Sequence, residues 1–259
     1  MAPPEDAIIR RRYLLFQAAA DFFFFQNRSY PRRASLEWVG NRYALTACAR
    51  EMLNRGVFGQ KEAIPRRARR VAGAAWRDGL LVVDGHNVHI TVESAILGRT
   101  LLLANDGALR DTAGESARFR LSEASEAAME AIVGLIGKNR PRQVRFLFDA
   151  PMSHSGLLAD KYRERLKALR IEGEARVVPV PEREIPYGEC VTASSDRAVL
   201  DASTGWLDLA RMTIQSASLA RPGEDFTPFA STRVPENYGW ADWGPSPAAS
   251  PESKKRETR

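Results

Sequence analysis

The sequence predicts an α/β protein: a central, mainly parallel sheet flanked by helices, behind a small all-helical N-terminal module. Three observations predict it. Two apolar runs each end on an acid, Leu80-Leu81-Val82-Val83-Asp84 and Val144-Arg145-Phe146-Leu147-Phe148-Asp149. From Leu80 onward such runs alternate with stretches of helical periodicity, the pattern of βα crossovers in a parallel sheet. Before residue 79 the recurring apolar residues keep helical spacing, with no strand-like alternation.

Taken in order, residues 4–28 read as a helix, with Leu14, Leu15, Ala18, Phe22 and Phe25 on one stripe after Pro3-Pro4. Ser29-Tyr30-Pro31 ends it. Ala34, Leu36, Trp38 and Val39 suggest a second helix. Thr46 can cap a third that stops near Gly56. A basic segment with Arg66, Arg67, Arg69 and Arg70 follows Pro65. After the strand 80–84 come a helix at about 91–97 and a hairpin-like insertion over 100–113, turning at Asp106-Gly107. Helix 122–138, strand 143–149, helix 156–170, strands 174–180 and 190–194, and helix 196–203 complete the domain. Three segments result: a helical module (1–78), the α/β domain (79–220) and a Pro-rich extension (221–259) expected to be largely disordered.

Two cysteines, Cys48 and Cys190, with no CxxC pair, exclude a disulfide framework or a cysteine zinc site and fit a reducing cytoplasm. No apolar stretch reaches the roughly 20 residues of a membrane helix. The net charge is +6, and it is unevenly placed. Residues 1–79 hold 15 Lys/Arg against 7 Asp/Glu. A basic module beside an acidic one suits a polyanionic partner. Arg66, Arg67, Arg69 and Arg70 are the candidates to line a phosphate-binding face.

The chemistry resides at the strand ends. In an open parallel sheet, ligands bind outside the carboxyl ends of the strands. Asp84 and Asp149 stand at two such ends. Asp196 follows a third run, Val191-Thr192-Ala193-Ser194-Ser195. Gly85 after Asp84 reads as a tight turn, and Asn87 as an amide delivered into the crevice. Three carboxylates converging there would hold a hard divalent cation, Mg2+ or Mn2+, the equipment that phosphodiester hydrolysis needs. A fourth acid is sought among Glu93, Asp106, Glu189 and Asp201. The histidines, His86, His89 and His154, have no zinc-site spacing, although His154 lies in a loop able to touch substrate. GxSxG, GxxxxGK[ST] and GxGxxG are all absent, which disfavours a serine hydrolase and the common nucleotide-binding enzymes.

Val82-Val83-Asp84-Gly85-His86-Asn87-Val88 resembles the opening strand of PIN-like nucleases of the NYN kind. Phe146-Leu147-Phe148-Asp149-Ala150 is similar to their central strand, and Thr192-Ala193-Ser194-Ser195-Asp196-Arg197-Ala198 to their Thr-Ser-Asp-Arg segment. The resemblance covers residues 80 to about 215. It implies a PIN-like, Rossmannoid domain acting on RNA, with Asp84, Asp149 and Asp196 as catalytic, metal-binding acids. Asn87 and Ser195 would be substrate-side groups. The whole chain also resembles an uncharacterised prokaryotic family with a helical N-terminal domain of unknown function, through Tyr30-Pro31, Val39-Gly40-Asn41-Arg42-Tyr43, Arg50 and Arg55-Gly56-Val57. A catalytically inactive RNA- or protein-binding adaptor and a small-molecule metal phosphohydrolase are the alternatives.

Overall fold

The computed structural model describes residues 5–112, 121–219 and 222–230. Four helices come first: α1 (Glu5–Asn27), α2 (Arg32–Arg42), α3 (Ala47–Gly56) and α4 (Gln60–Ala68). Thr46 caps α3 as expected, its hydroxyl accepting from the Ala49 N–H at 3.2 Å. A short 3-10 turn at Ala75–Arg77 leads into β1 (Leu80–Asp84) and α5 (Gly85–Ile96). The expected hairpin follows as β2 (Leu101–Leu103) and β3 (Leu109–Asp111), antiparallel. Then come α6 (Glu123–Asn139), β4 (Gln143–Asp149), α7 (Ser155–Ala168) and β5 (Gly173–Val178). The chain continues through α8 (Pro181–Glu184), β6 (Cys190–Ala193), α9 (Arg197–Ala202), β7 (Trp206–Leu207), α10 (Leu209–Ser216) and β8 (Glu224–Asp225).

The main sheet runs β5-β4-β1-β6-β7, with every pairing parallel. Its central strand β1 is a continuous apolar run because both of its faces are covered, whereas the edge strand β5 is largely exposed. Leu81, Val83, Phe146 and Phe148 face a core shared with α5, α6, α7 and α10. Val82 and Leu147 face the other way, toward Val178, Ile185 and Val199 of α9. The chain winds outward from β1 through β4 to β5, then returns to the other side of β1 for β6 and β7. That reversal makes the carboxyl ends of β1 and its neighbours a topological switch point, where a crevice opens.

Two expectations need correction. The Asp84-Gly85 step is not a tight turn before a helix near residue 91. The helix α5 begins at Gly85 itself. A Cβ on Gly85 would stand 2.5 Å from a Phe148 ring carbon and 2.8 Å from the Leu147 carbonyl oxygen. Glycine is there so that the first turn of α5 can lie flush against β4.

The helical module also does not close on itself at residue 78. Its core of Leu15, Phe22, Phe23, Leu53 and Phe58 incorporates Leu102 and Ala104 from the hairpin and Phe226 and Phe229 from the C-terminal extension. Strand β8 pairs in parallel with β2, so residues 222–230 are an integral part of the fold. Their two phenylalanines supply the apolar area that the Pro-rich composition hides. The rest of the extension, with Trp240, Trp243 and Ser253-Lys254-Lys255-Arg256, lies outside the described residues. No described helix is long and apolar enough to cross a membrane.

Candidate active site at the carboxyl edge of the sheet

Asp84 terminates β1 and occupies the N-cap position of α5, yet its carboxylate makes no capping bond to that helix. It turns instead to Ser194, whose hydroxyl donates to Asp84 Oδ2 at 2.8 Å. Asp84 is only 6% exposed. Burial, opposed by the Ser194 bond and reinforced by the negative charges of Asp149, Asp196 and Glu182, pushes its carboxyl up to about 7.

Asp149 ends β4 and is held by His86 from the first turn of α5. The imidazole Nδ1 lies 3.0 Å from the Asp149 backbone nitrogen and 3.1 Å from its Oδ2. Without a proton Nδ1 accepts from the N–H. Protonated, it donates to the carboxylate. His86 itself is buried edge-on against Phe148, which fixes the ring.

Asp196 follows β6 as the N-cap of α9. Its Oδ1 accepts from Ala198 and Val199 N–H at 2.7 and 3.2 Å, and Oδ2 takes part in neither bond. Its own N–H donates to the Ser194 oxygen at 3.0 Å. Asn87 Oδ1 accepts from the Ser195 N–H and hydroxyl at 2.7 and 2.9 Å. Asn87 and the buried Ser195 thus clamp the β6–α9 loop to α5. That is a scaffolding task for Ser195; only Asn87 reaches the cleft surface.

These groups line one cleft of about 340 Å³: Asp84, Asp149 and Asp196 with His86 and Asn87. Asp111, Glu182 and Arg55 also line it, and the sequence reading had not selected them for this site. Asp111 sits at the end of β3 and accepts from Thr91 Oγ1 at 3.0 Å. Glu182 lies on the short α8. The four proposed fourth acids are elsewhere. Asp106 and Asp201 pair with arginines, Glu93 accepts from Ser122 at 3.3 Å, and Glu189 is exposed outside the lining.

Among the described residues, five carboxyl groups and one guanidinium line the cleft, so this set carries a negative balance. The charged donors are oxygens, which suit a hard cation such as magnesium or manganese. Among the described residues, no three Asp, Glu, His or Cys side chains are arranged to hold an ion by themselves. A magnesium-type ion does not require that. It binds through one or two carboxylates and keeps water and substrate phosphate as its other ligands.

A family model described as "Domain of unknown function (DUF5616)" matches residues 74–212, more than half of the chain. The chain belongs to the DUF5616 family. A second model, "Protein of unknown function (DUF434)", matches residues 14–69. An uncharacterised protein of Methanocaldococcus jannaschii is 30% identical over 184 residues, covering 71% of this chain and 88% of its own. No solved structure matches the chain. All five cleft acids fall within the DUF5616 region, whereas Arg55 comes from the DUF434 region.

The four arginines of the basic segment do not form a phosphate-binding face. Arg66 is fully buried, its Nε and Nη2 donating to Asp201 at 2.7 Å and its Nη1 to Asp106 at 3.1 Å. Arg110 holds the same Asp106 through two 2.8 Å bonds. Arg67 donates to the Asn105 and Ala230 carbonyls, and Arg69 to those of Asp201 and Ser203. Arg70 lies over the Trp206 ring. Together they fasten α4 and the residues after it to the hairpin turn, the C-terminal segment, α9 and β7. His154 takes a left-handed conformation before α7, outside the cleft lining. His89 is buried between Tyr162 and Ser125, and burial lowers its pKa to about 3, so it is a neutral core residue.

Proposed function

We propose that this chain is a hydrolase that cuts phosphodiester bonds in RNA with the help of Mg2+ or Mn2+, in the cytoplasm. The observation that carries the reading is Asp84: a buried carboxyl, pushed up to about 7, facing other acids in a cleft at the switch point of the sheet. A phosphodiester is an anion, and five acids would repel it. Only a cation between them makes the cleft hospitable to phosphate, and binding it would draw Asp84 into its charged form.

Asp84, Asp149 and Asp196 are the residues assigned to hold that ion. When bound, it would lower the pKa of a water and neutralise charge on the attacked phosphate. The chain's own residues do the positioning. Ser194 ties Asp84 to the Asp196 backbone, His86 orients Asp149, and Asn87 fixes the β6–α9 loop. RNA as the polymer rests on the resemblance to PIN-like nucleases of the NYN kind and on the basic N-terminal region.

The test is a panel of labelled RNAs with manganese, comparing the wild-type chain with Asp84→Asn. Cleavage by the wild type that is lost in the variant supports the reading. Equal turnover by both, or none by either, counts against catalysis. One observation favours an inactive binding adaptor: among the described residues, no three donors are drawn together around an ion position. That reading expects RNA retention indifferent to manganese. Turnover of nucleotides or sugar phosphates but not of polymers would instead mark a small-molecule phosphohydrolase.

A further inference from the structure

We infer that Arg55 is the anion-recognising residue of the cleft, binding a phosphate of the substrate, and that the N-terminal helices complete the site of the α/β domain. The inference rests on the phosphodiester reading and adds to it a residue from the other region of the chain. Of the charged residues lining the cleft, Arg55 is the only cation among the described residues. It stands in the last turn of α3.

Its position is built. Gly56, the next residue, has no room for a side chain: a Cβ there would come within 2.4 Å of the Phe226 ring. The Gly56 carbonyl accepts from the Asn105 N–H at 2.9 Å. Asn105 then brackets Phe58, accepting from its N–H at 2.9 Å and donating to its carbonyl at 2.8 Å. The end of α3 is therefore locked to the hairpin that also delivers Asp111 to the cleft.

The guanidinium, by contrast, is lightly held. Arg55 Nη2 lies 4.0 Å from Asp111 Oδ2, beyond hydrogen-bond length, and its side chain is 22% exposed. Arg66, which could have served the same purpose, is spent on two carboxylates and buried. A rigid backbone presenting a guanidinium that no described residue holds by a hydrogen bond is the arrangement that recognises phosphate, since Arg offers a planar fork matched to two phosphate oxygens.

The competing explanation is that Arg55 is a latch whose work is the ion pair with Asp111. Binding separates the two. The full chain is titrated, with manganese present, first with inorganic phosphate and then with a labelled ten-nucleotide phosphorothioate RNA that resists cleavage. Arg55→Ala is expected to weaken both by about 10- to 100-fold, the range for losing a charged hydrogen bond. The slope of log affinity against log salt for RNA should fall by about 0.7. Arg55→Lys should recover part of the loss. Asp111→Asn, which frees Arg55, should keep or raise phosphate affinity.

Unchanged affinity in folded Arg55→Ala overturns the inference and leaves the phosphodiester reading standing. So does an Asp111→Asn variant that loses phosphate affinity and melting temperature together with Arg55→Ala, the signature of a latch. Failure of the wild type to bind either probe overturns both.

Discussion

The Ser194 hydroxyl donates to Asp84 Oδ2 at 2.8 Å while accepting the Asp196 N–H at 3.0 Å. One short side chain thereby joins the acid at the end of β1 to the acid that opens α9. The two come from distant parts of the chain, yet their spacing is set by a single oxygen. A carboxylate kept so close to other carboxylates, and largely shut off from water, is held at a cost to the fold.

That cost has a pH signature. In the unfolded chain Asp84 loses its proton near its ordinary value of 3.8; in the fold it holds the proton up to about 7. Below about pH 4 both states are protonated and Asp84 is neutral in effect. Between about pH 4 and 7 only the unfolded state ionises, so stability falls as pH rises, to a limit of the order of 4 kcal/mol. Asp84→Asn keeps an acceptor for Ser194 and removes the titration. In chelator-treated protein the variant should melt above the wild type at pH 8, with the difference shrinking toward pH 4. Parallel melting curves across that range would show that Asp84 is not under such strain.

Asn87 makes a separate prediction. Its Oδ1 is the shared acceptor for the Ser195 N–H and hydroxyl. Asn87→Ala leaves that N–H unpaired and frees the loop that carries Ser194 and Asp196. The expected stability loss is about 1–3 kcal/mol. Turnover should drop by about 10- to 100-fold, as when an outer partner of a site residue is removed. Ser195→Ala retains the backbone bond and should do much less. The comparison is made on kcat at saturating RNA; a Ser195→Ala loss as large as that of Asn87→Ala would assign the effect to the hydroxyl.

What the sequence disclosed follows from what is local. An apolar run ending in Asp announces both a buried strand and its exit, so β1 and β4 were legible to the residue. Asp84 and Asp149 were legible for the same reason, and Asp196 because it follows a third run by a short polar step. Asp111, Glu182 and Arg55 were not. They stand on a three-residue strand, a four-residue helix and a helix end, and only tertiary packing turns them toward the cleft. Helix α5 was partly hidden by its β-branched Val88, Ile90, Thr91 and Val92, whose weak helix propensity the surrounding core overrides. The arginine run misled because charge density says nothing about which member points inward. On α4 the buried residues are Ala63 and Arg66, on one face of the helix three residues apart.

Arg66 should accordingly behave as a core residue. Removing its side chain leaves Asp106 fully buried with one arginine instead of two, and Asp201 without its strongest partner. Breaking a buried ion pair from one side costs about 3–5 kcal/mol. Urea denaturation of Arg66→Ala should show a loss of that size; added salt should leave the buried Asp106 share of it intact and screen only the share of the half-exposed Asp201. RNA affinity of the folded fraction should match that of the wild type. A stable Arg66→Ala protein with weakened RNA binding would restore the phosphate-binding face.

Phe226 extends the same reasoning to the end of the described chain. It is fully buried, packs in the second core with Phe16 at a ring distance of 5.7 Å, and presses on Gly56. Its strand neighbours pair with β2, so the C-terminal extension holds together the hairpin and the N-terminal helices. Phe226→Ala should cost about 3–5 kcal/mol, the range for emptying a buried aromatic site. Because Gly56 adjoins Arg55, the vacated space should also loosen the end of α3, so phosphate affinity should decline below the temperature at which the variant unfolds. Hydrogen exchange checks the structural half: the Asn105 amide, bonded to the Gly56 carbonyl at 2.9 Å, should lose protection in Phe226→Ala while the Phe146 amide in β4 keeps its own. Equal loss at both positions would mean that the two cores unfold as one unit and that the extension has no particular hold on α3.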